Sequence, residues 1–134
     1  MIKRTLQRGF TLIELLVVIA IIGILAAVVL TSLNDARDNA NDASAKSSIT
    51  SIRAQAEIFY NENNYSYANL CAAAEITRLT GAATAQGAQN LDCDSSATDY
   101  AVEVQLRSGQ YFCVDSGGNA GEQAASKGAA ATQC

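Results

Sequence analysis

The feature that most constrains this chain is a single acidic side chain inside an otherwise unbroken apolar run near the N-terminus. Glu14 lies in that run, and the residues from Leu15 to Leu30 follow it without one polar side chain. An ionised group at the centre of a bilayer costs roughly 2.5–3.5 kcal/mol on insertion scales, so an acid in such a segment indicates a functional role. The central question is which group pairs with Glu14.

The apolar segment from Phe10 to Leu33 is long enough to cross a membrane as a helix. At 1.5 Å per residue it extends about 36 Å, and the hydrocarbon core is about 30 Å thick. Lys3, Arg4 and Arg8 precede it with no acid among them, which places them in the cytoplasm and the C-terminal part outside. A plain membrane anchor, as in a bitopic sensor, fits this pattern. A cleaved secretory signal peptide fits poorly, because the apolar run continues past residues 24–27, where a small-residue cleavage zone would lie.

A cut between Gly9 and Phe10 gives Glu14 a partner. The new ammonium group then lies four residues before Glu14. If such helices leave the lipid and bundle, the ammonium of one copy can meet the carboxylate of a neighbour, and opposite charges about 4 Å apart attract by about 4 kcal/mol at an effective dielectric of 20. Because an unpaired charge in an apolar bundle is costly, Glu14 would set the axial register between copies.

The segment from Lys3 to Leu15, KRTLQRGFTLIEL, resembles the class III leader and processing site of type IV pilins and type II secretion pseudopilins. The resemblance covers roughly residues 1–33. It implies a prepilin peptidase that removes residues 1–9 after Gly9 and N-methylates Phe10. It also implies an α+β, pilin-like fold, in which a long N-terminal helix packs on a small antiparallel β-sheet head with disulfide-bonded loops. The chain departs from many pilins in having no proline to kink the hydrophobic helix.

The layout beyond the leader divides the chain into three parts. Residues 10–33 form the transmembrane and assembly helix, residues 34–62 its amphipathic continuation, and residues 63–134 the globular head. Ile49, Ile52 and Phe59 belong to an apolar stripe spaced mostly by three or four residues, as in a helix. A continuous helix to about Glu62 is favoured, and the alternative is two helices broken near residues 32–34.

The head combines one clear hairpin with weakly patterned segments. Apolar residues alternate from Tyr100 to Leu106, which predicts a strand, and residues 110–115 predict the returning strand. Residues 70–79 predict a short helix, and residues 81–90 an exposed loop. Residues 121–133 have too few bulky side chains to be held by burial. Tyr65 and Tyr67 are expected to pack near the helix end, with surface binding aromatics as the alternative.

Four cysteines lie on the side of the membrane that the charge pattern places outside, where disulfides persist. They allow three connectivities. The favoured pairs are Cys71–Cys93 and Cys113–Cys134, because each brackets one weakly apolar loop. The second pair also resembles the way in which many pilins pin their C-terminal loop. A four-cysteine zinc site would need closely spaced pairs, which are absent from the sequence.

Nothing in the sequence indicates an enzyme or a cofactor. The chain has no His, so the usual general base and zinc ligand are missing. Major pseudopilins of type II secretion bind calcium in their C-terminal region, and an acidic cluster offers suitable oxygens here. A solvated acidic surface is the simpler interpretation of that cluster, which consists of Asp92, Asp94, Ser95 and Asp99.

These observations lead to one expected function. The chain is expected to be a structural pilin, inserted in the inner membrane as a single-pass precursor and then polymerised into an extracellular filament. The expected partners are further copies of the chain, the prepilin peptidase, the pilus assembly platform and, before assembly, the membrane. The alternatives are a type II secretion pseudopilin and a minor or competence pilin. Beyond Phe10 the chain carries thirteen acids against six basic residues, so nucleic-acid binding is not indicated.

Overall fold

The computed structural model describes residues 9–134, so the basic leader residues Lys3, Arg4 and Arg8 lie outside the described part of the chain. The chain forms two compact units, with a boundary between Ala36 and Arg37. The first unit contains the apolar segment, and the second contains the amphipathic helix and the head.

One helix, α1 (Leu12–Glu62), runs through both units. The predicted continuous helix is therefore confirmed, and residues 32–34 do not break it. In the first unit every described residue is exposed. An 18-residue window of α1 has a mean hydropathy of 3.1 and no buried residue, so by length and composition this helix is able to cross a membrane.

In the second unit, α1 contributes one narrow stripe to the core. Ala45, Ile49, Ile52 and Ala56 are each 1% exposed or less. They recur every three or four residues, which keeps them on one face of the helix. The stripe packs with the inner face of a β-sheet and with a second helix, as the shared core cluster shows.

The sheet has four antiparallel strands in the order β1-β2-β3-β4. Its strands are β1 (Gln89–Ser95), β2 (Tyr100–Gln105), β3 (Tyr111–Asp115) and β4 (Ala120–Gln123). The predicted hairpin is confirmed as β2 and β3. Tyr100, Val102 and Val104 are buried, as their alternation predicted for the core-facing side of β2.

The sequence missed several elements of the head. A short 3-10 helix (Leu70–Ala72) precedes α2 (Ala74–Ala85), so the predicted short helix exists but extends further. The predicted loop at residues 81–90 is wrong at both ends, because α2 covers the start and β1 begins at Gln89. Strand β1 has the sequence QNLDCDS, in which only Leu91 and Cys93 alternate with polar residues, a weak strand pattern.

A buried carboxylate fastens the turn between β2 and β3 to α1. Asp42 accepts hydrogen bonds from the backbone N–H of Arg107 at 2.8 Å and of Ser108 at 3.1 Å. The Arg107 guanidinium donates to Asp38 at 2.9 Å and to the carbonyl of Gln86 at 2.9 Å. The turn thus has polar as well as apolar ties to the helix.

Candidate functional site

The N-terminus of α1 is capped by two side chains that hydrogen-bond to each other's backbone. Thr11 precedes the first helical residue, and its backbone N–H and hydroxyl donate to Glu14 Oε2 at 2.9 and 2.8 Å. The N–H of Glu14 donates to Thr11 Oγ1 at 3.3 Å. This is a capping box, in which an N-cap Thr and a Glu three residues later satisfy donors that the helix start leaves unpaired.

The capping box gives Glu14 a role within a single copy. The sequence argument assigned Glu14 only to contacts between copies. That step was incomplete, because the spacing T-x-x-E is itself a signal for a helix start. Gly9 and Phe10 lie just before the box, and Phe10 is 88% exposed.

A second cluster of carboxylates lies on the outer face of the sheet, away from α1. It consists of Asp92 and Asp94 on β1, Glu103 on β2 and Asp115 on β3, and we call it the outer acidic cluster. Strand register places Glu103 opposite Asp92 and Cys113, so these residues share one face. Residues 124–134, which we call the C-terminal loop, supply bonding partners to all four acids.

Lys127 is the central donor of the C-terminal loop. Its side chain has no exposed surface, and its ammonium donates to Asp92 Oδ2 at 2.9 Å and to Asp94 Oδ2 at 2.5 Å. Burial disfavours the charged form, but the hydrogen bonds and charges of Asp94 and Asp92 outweigh it and hold the pKa of Lys127 above its usual value.

The other two acids hold the backbone of the loop. Glu103, 1% exposed, accepts the Ser126 hydroxyl at 2.6 Å and the N–H of Lys127 at 2.8 Å. Asp115 accepts the N–H of Cys134 at 2.9 Å. Burial opposes ionisation of Asp115, but hydrogen bonds from Asn119 and from backbone N–H groups, including that of Cys134, hold the pKa of this carboxyl below its usual value.

The residues considered as calcium ligands do not form one site. Lys127 lies between Asp92 and Asp94, whereas Asp99 bonds to the hydroxyls of Thr98 at 2.6 Å and Ser116 at 3.3 Å. Within residues 9–134, no group of three or more metal-ligating side chains comes together. The ammonium of Lys127 supplies the positive charge that the calcium hypothesis assigned to a metal.

The structure joins Cys71 to Cys93 and Cys113 to Cys134, the pairing that the sequence favoured. The first bridge links the 3-10 helix to β1. The second links β3 to the C-terminal loop on the face of the outer acidic cluster. The loop is therefore fixed by one covalent bond and several polar bonds, even though it is poor in bulky apolar side chains.

The two tyrosines after α1 differ in burial. Tyr67 is 6% exposed, and its hydroxyl donates to Glu57 Oε1 at 2.8 Å, so its predicted packing at the helix end is confirmed. Burial, together with that hydrogen bond, raises the pKa of Tyr67. Tyr65 is 69% exposed and meets Tyr60 edge to face at 5.6 Å, which leaves most of its ring on the surface.

Comparison with known proteins identifies the N-terminal segment. Residues 4–30 match the family model described as the prokaryotic N-terminal methylation motif. The match covers Gly9 and Phe10, where the sequence predicts cleavage, together with the capping box and most of the exposed apolar helix. Searches of curated proteins and of solved structures found no match for this chain.

Proposed function

Because residues 4–30 carry the class III prepilin motif of the type IV pilin and pseudopilin families, we propose that this protein is a structural subunit of a type IV pilus-like filament. Prepilin peptidase cuts the precursor after Gly9 and methylates the new N-terminus at Phe10. The subunits then polymerise through their apolar helices, and the heads form the filament surface.

The observation that carries this proposal is the exposure of the whole apolar segment. Phe10 is 88% exposed, Leu12 87% and Leu30 62%, and large apolar side chains are exposed throughout the intervening helix. A helix that is apolar on every side needs an apolar environment. A membrane supplies this environment to the precursor, and neighbouring copies supply it in the filament. Head-to-tail contacts between successive copies produce an open helical polymer when their rotation does not close into a ring.

Glu14 links processing to assembly in this proposal. Before cleavage its carboxylate serves the capping box with Thr11. Cleavage creates an ammonium group at Phe10, which adds a positive charge beside the helix start. In the polymer, the Phe10 ammonium of one copy pairs with the Glu14 carboxylate of another, and that pair fixes the axial offset between helices.

The proposed pathway begins in the inner membrane, with the precursor crossing once and the head outside. The assembly platform then extracts the apolar helix into a filament on the cell surface. A subunit of this type is a building block without catalytic activity. Nucleic acid is not among the proposed partners, because acids outnumber basic residues in the exported part.

A pilus subunit is favoured over a pseudopilin by the way the C-terminal loop is held. Lys127 supplies an internal positive charge to Asp92 and Asp94, and the Cys113–Cys134 disulfide fixes the chain beyond it. A head of this kind folds without calcium. We therefore expect its urea-unfolding midpoint to be the same in calcium and in EDTA. A calcium-dependent midpoint would favour the pseudopilin alternative.

The first test is the intact mass of filaments sheared from the native cell, measured without reduction. The proposed subunit begins at a methylated Phe10, and two disulfides make it lighter than the reduced chain by four hydrogens. Protein that stays in the membrane with residues 1–9 attached would overturn the filament proposal and leave a plain anchor.

Two substitutions separate the two roles of Glu14. Glu14→Gln removes the charge but keeps an acceptor that suits a capping box. Thr11→Val removes the capping hydroxyl and keeps the carboxylate. We expect Glu14→Gln to be processed and inserted but to give few filaments, whereas Thr11→Val should retain most assembly. Normal filament yield from Glu14→Gln would show that the charge does not set the register.

A further inference from the structure

The turn that follows α1 carries an acceptor sequence for asparagine-linked sugars. Residues 64–66 are Asn64-Tyr65-Ser66, which fits Asn-x-Ser/Thr with a residue other than proline in the middle. We propose that Asn64 is glycosylated on its side-chain amide. This inference rests on the proposed export of the head.

The position of Asn64 suits a modification on the surface. Helix α1 ends at Glu62, and both Asn64 and Tyr65 have the positive φ angles of a tight turn, 55° and 58°. Asn64 is exposed. A bulky polar group is tolerated best at such a turn, because it does not have to be accommodated in the core.

The side-chain amides of two neighbouring asparagines are hydrogen-bonded, whereas, within the described part of the chain, the side-chain amide of Asn64 is not. The amides of Asn61 and Asn63 each donate at 2.8 Å to carbonyl groups of the last turns of α1, those of Glu57 and Phe59. No such bond holds the Asn64 amide among residues 9–134. The side chains of Asn61 and Asn63 are thus tied back to α1, and Asn64 has its amide nitrogen available for chemistry.

The surface beside Asn64 is suited to a sugar. Tyr65 is 69% exposed and is held edge to face against Tyr60. An aromatic ring with apolar faces and a polar hydroxyl can pack against the C–H face of a pyranose and bond to its hydroxyls. A sugar on Asn64 would cover this ring, which is otherwise a large aromatic group exposed to water.

The proposed reaction is a glycosyl transfer from a polyprenyl-diphosphate-linked oligosaccharide. The Asn64 amide nitrogen attacks the anomeric carbon, so an N–C bond forms while the bond from that carbon to the phosphate oxygen breaks. The polyprenyl diphosphate leaves with the electron pair, and one amide proton passes to a base of the transferase. The Ser66 hydroxyl belongs to the recognised sequence and is not consumed.

The test uses the protein purified from the native cell, separately from sheared filaments and from membranes, reduced and digested with trypsin. The peptide of residues 54–78 contains the acceptor, since Arg53 and Arg78 bound it. We expect its mass to exceed the sequence mass by whole sugar residues and fragmentation to place the sugar on Asn64. The increment should vanish in Asn64→Gln and Ser66→Ala and persist in Ser66→Thr.

Asn69→Gln is the matched control. Asn69 is also exposed and has a positive φ of 67°, but no Ser or Thr follows two residues later. The Asn69→Gln variant should keep the full sugar mass on the acceptor peptide. A wild-type peptide at its sequence mass would overturn the proposal, as would an increment that survives both Asn64→Gln and Ser66→Ala.

The same digest separates this inference from the proposed function. The peptide of residues 10–37 reports cleavage and methylation at Phe10, independently of residues 54–78. A methylated Phe10 with an unmodified acceptor peptide would refute glycosylation alone. A retained leader with a glycosylated acceptor peptide would refute the filament proposal and leave Asn64 as a modified residue of an exported anchor.

Discussion

Replacing Lys127 by methionine is the sharpest test of how the C-terminal loop is held. The substitution keeps the length of the side chain and removes its charge. The Lys127 side chain has no exposed surface, whereas the side chains of Asp92 and Asp94 are 37% and 25% exposed. Removing one partner of a fully buried pair costs about 3–5 kcal/mol. Because water still reaches both acids, we expect a loss of about 2–3 kcal/mol.

The measurement is urea unfolding of the full-length protein in detergent micelles with both disulfides intact, followed by tyrosine fluorescence. With a slope of about 1.5 kcal/mol per molar urea, the expected loss lowers the midpoint by about 1–2 M. Lys46→Met is the matched control. Lys46 pairs with Glu122 at the surface, where both side chains are partly exposed, and such pairs contribute about 0.2–1 kcal/mol.

Two results would refute the reasoning. One is an equal loss in Lys127→Met and Lys46→Met, and the other is a Lys127→Met midpoint at the wild-type value. A further check is to add Asp92→Asn and Asp94→Asn to Lys127→Met. If the loss arises from carboxylates without a partner, the triple variant should recover part of it.

Three further predictions concern the head. Asp42→Ala should lower stability by about 2 kcal/mol, because two backbone N–H groups lose a charged acceptor, whereas Asp35→Ala should change it by about 0.5 kcal/mol or less; equal urea midpoints would contradict this. Since the folded pKa of Asp115 lies below its unfolded value of 3.8, its contribution is complete above that pH and is lost as the pH falls through the folded pKa. Asp115→Asn should therefore show a shallower loss of stability on acidification, measured by urea titrations from pH 7 downwards, and an unchanged acid profile would exclude this role. Replacing both Cys113 and Cys134 by Ser should cost about 3 kcal/mol and speed amide hydrogen exchange in the C-terminal loop; unchanged exchange would show that polar bonds alone hold it.

The parts of the fold with a regular apolar period were predictable from the sequence. Ile49 and Ile52 marked the buried face of α1, and alternation from Tyr100 marked β2. Strand β1 has only two apolar residues in alternation, Leu91 and Cys93, which is too short a pattern to predict a strand. Its other face is polar because Asp92 and Asp94 pair with a lysine from the C-terminal loop. Pattern analysis finds burial by apolar groups and misses burial by paired charges.

The same limit applies to the outer face of β2. The alternation from Tyr100 to Leu106 implies that Glu103 lies on the face away from the core, and it does, yet Glu103 is 1% exposed. The C-terminal loop covers it, and hydrogen bonds from residues 126 and 127 satisfy its carboxylate. These contacts join positions that are 23 and 24 residues apart in the chain. Polar contacts at such separations do not produce a periodic pattern in the sequence. The capping box at Thr11 and Glu14, in contrast, was readable from its local spacing.

The attachment of the β2–β3 turn to α1 has a mechanical consequence. Within the second unit, Asp38 and Asp42 hold Arg107 and Ser108 at the end of the contact region nearest the N-terminus. The apolar stripe from Ala45 to Ala56 follows them along the helix. When tension enters the head through α1, the ion pair at Asp38 and the two hydrogen bonds at Asp42 bear the load first. The apolar stripe carries load only after these polar contacts separate, so the contacts at Asp38 and Asp42 set the force at which the head begins to detach.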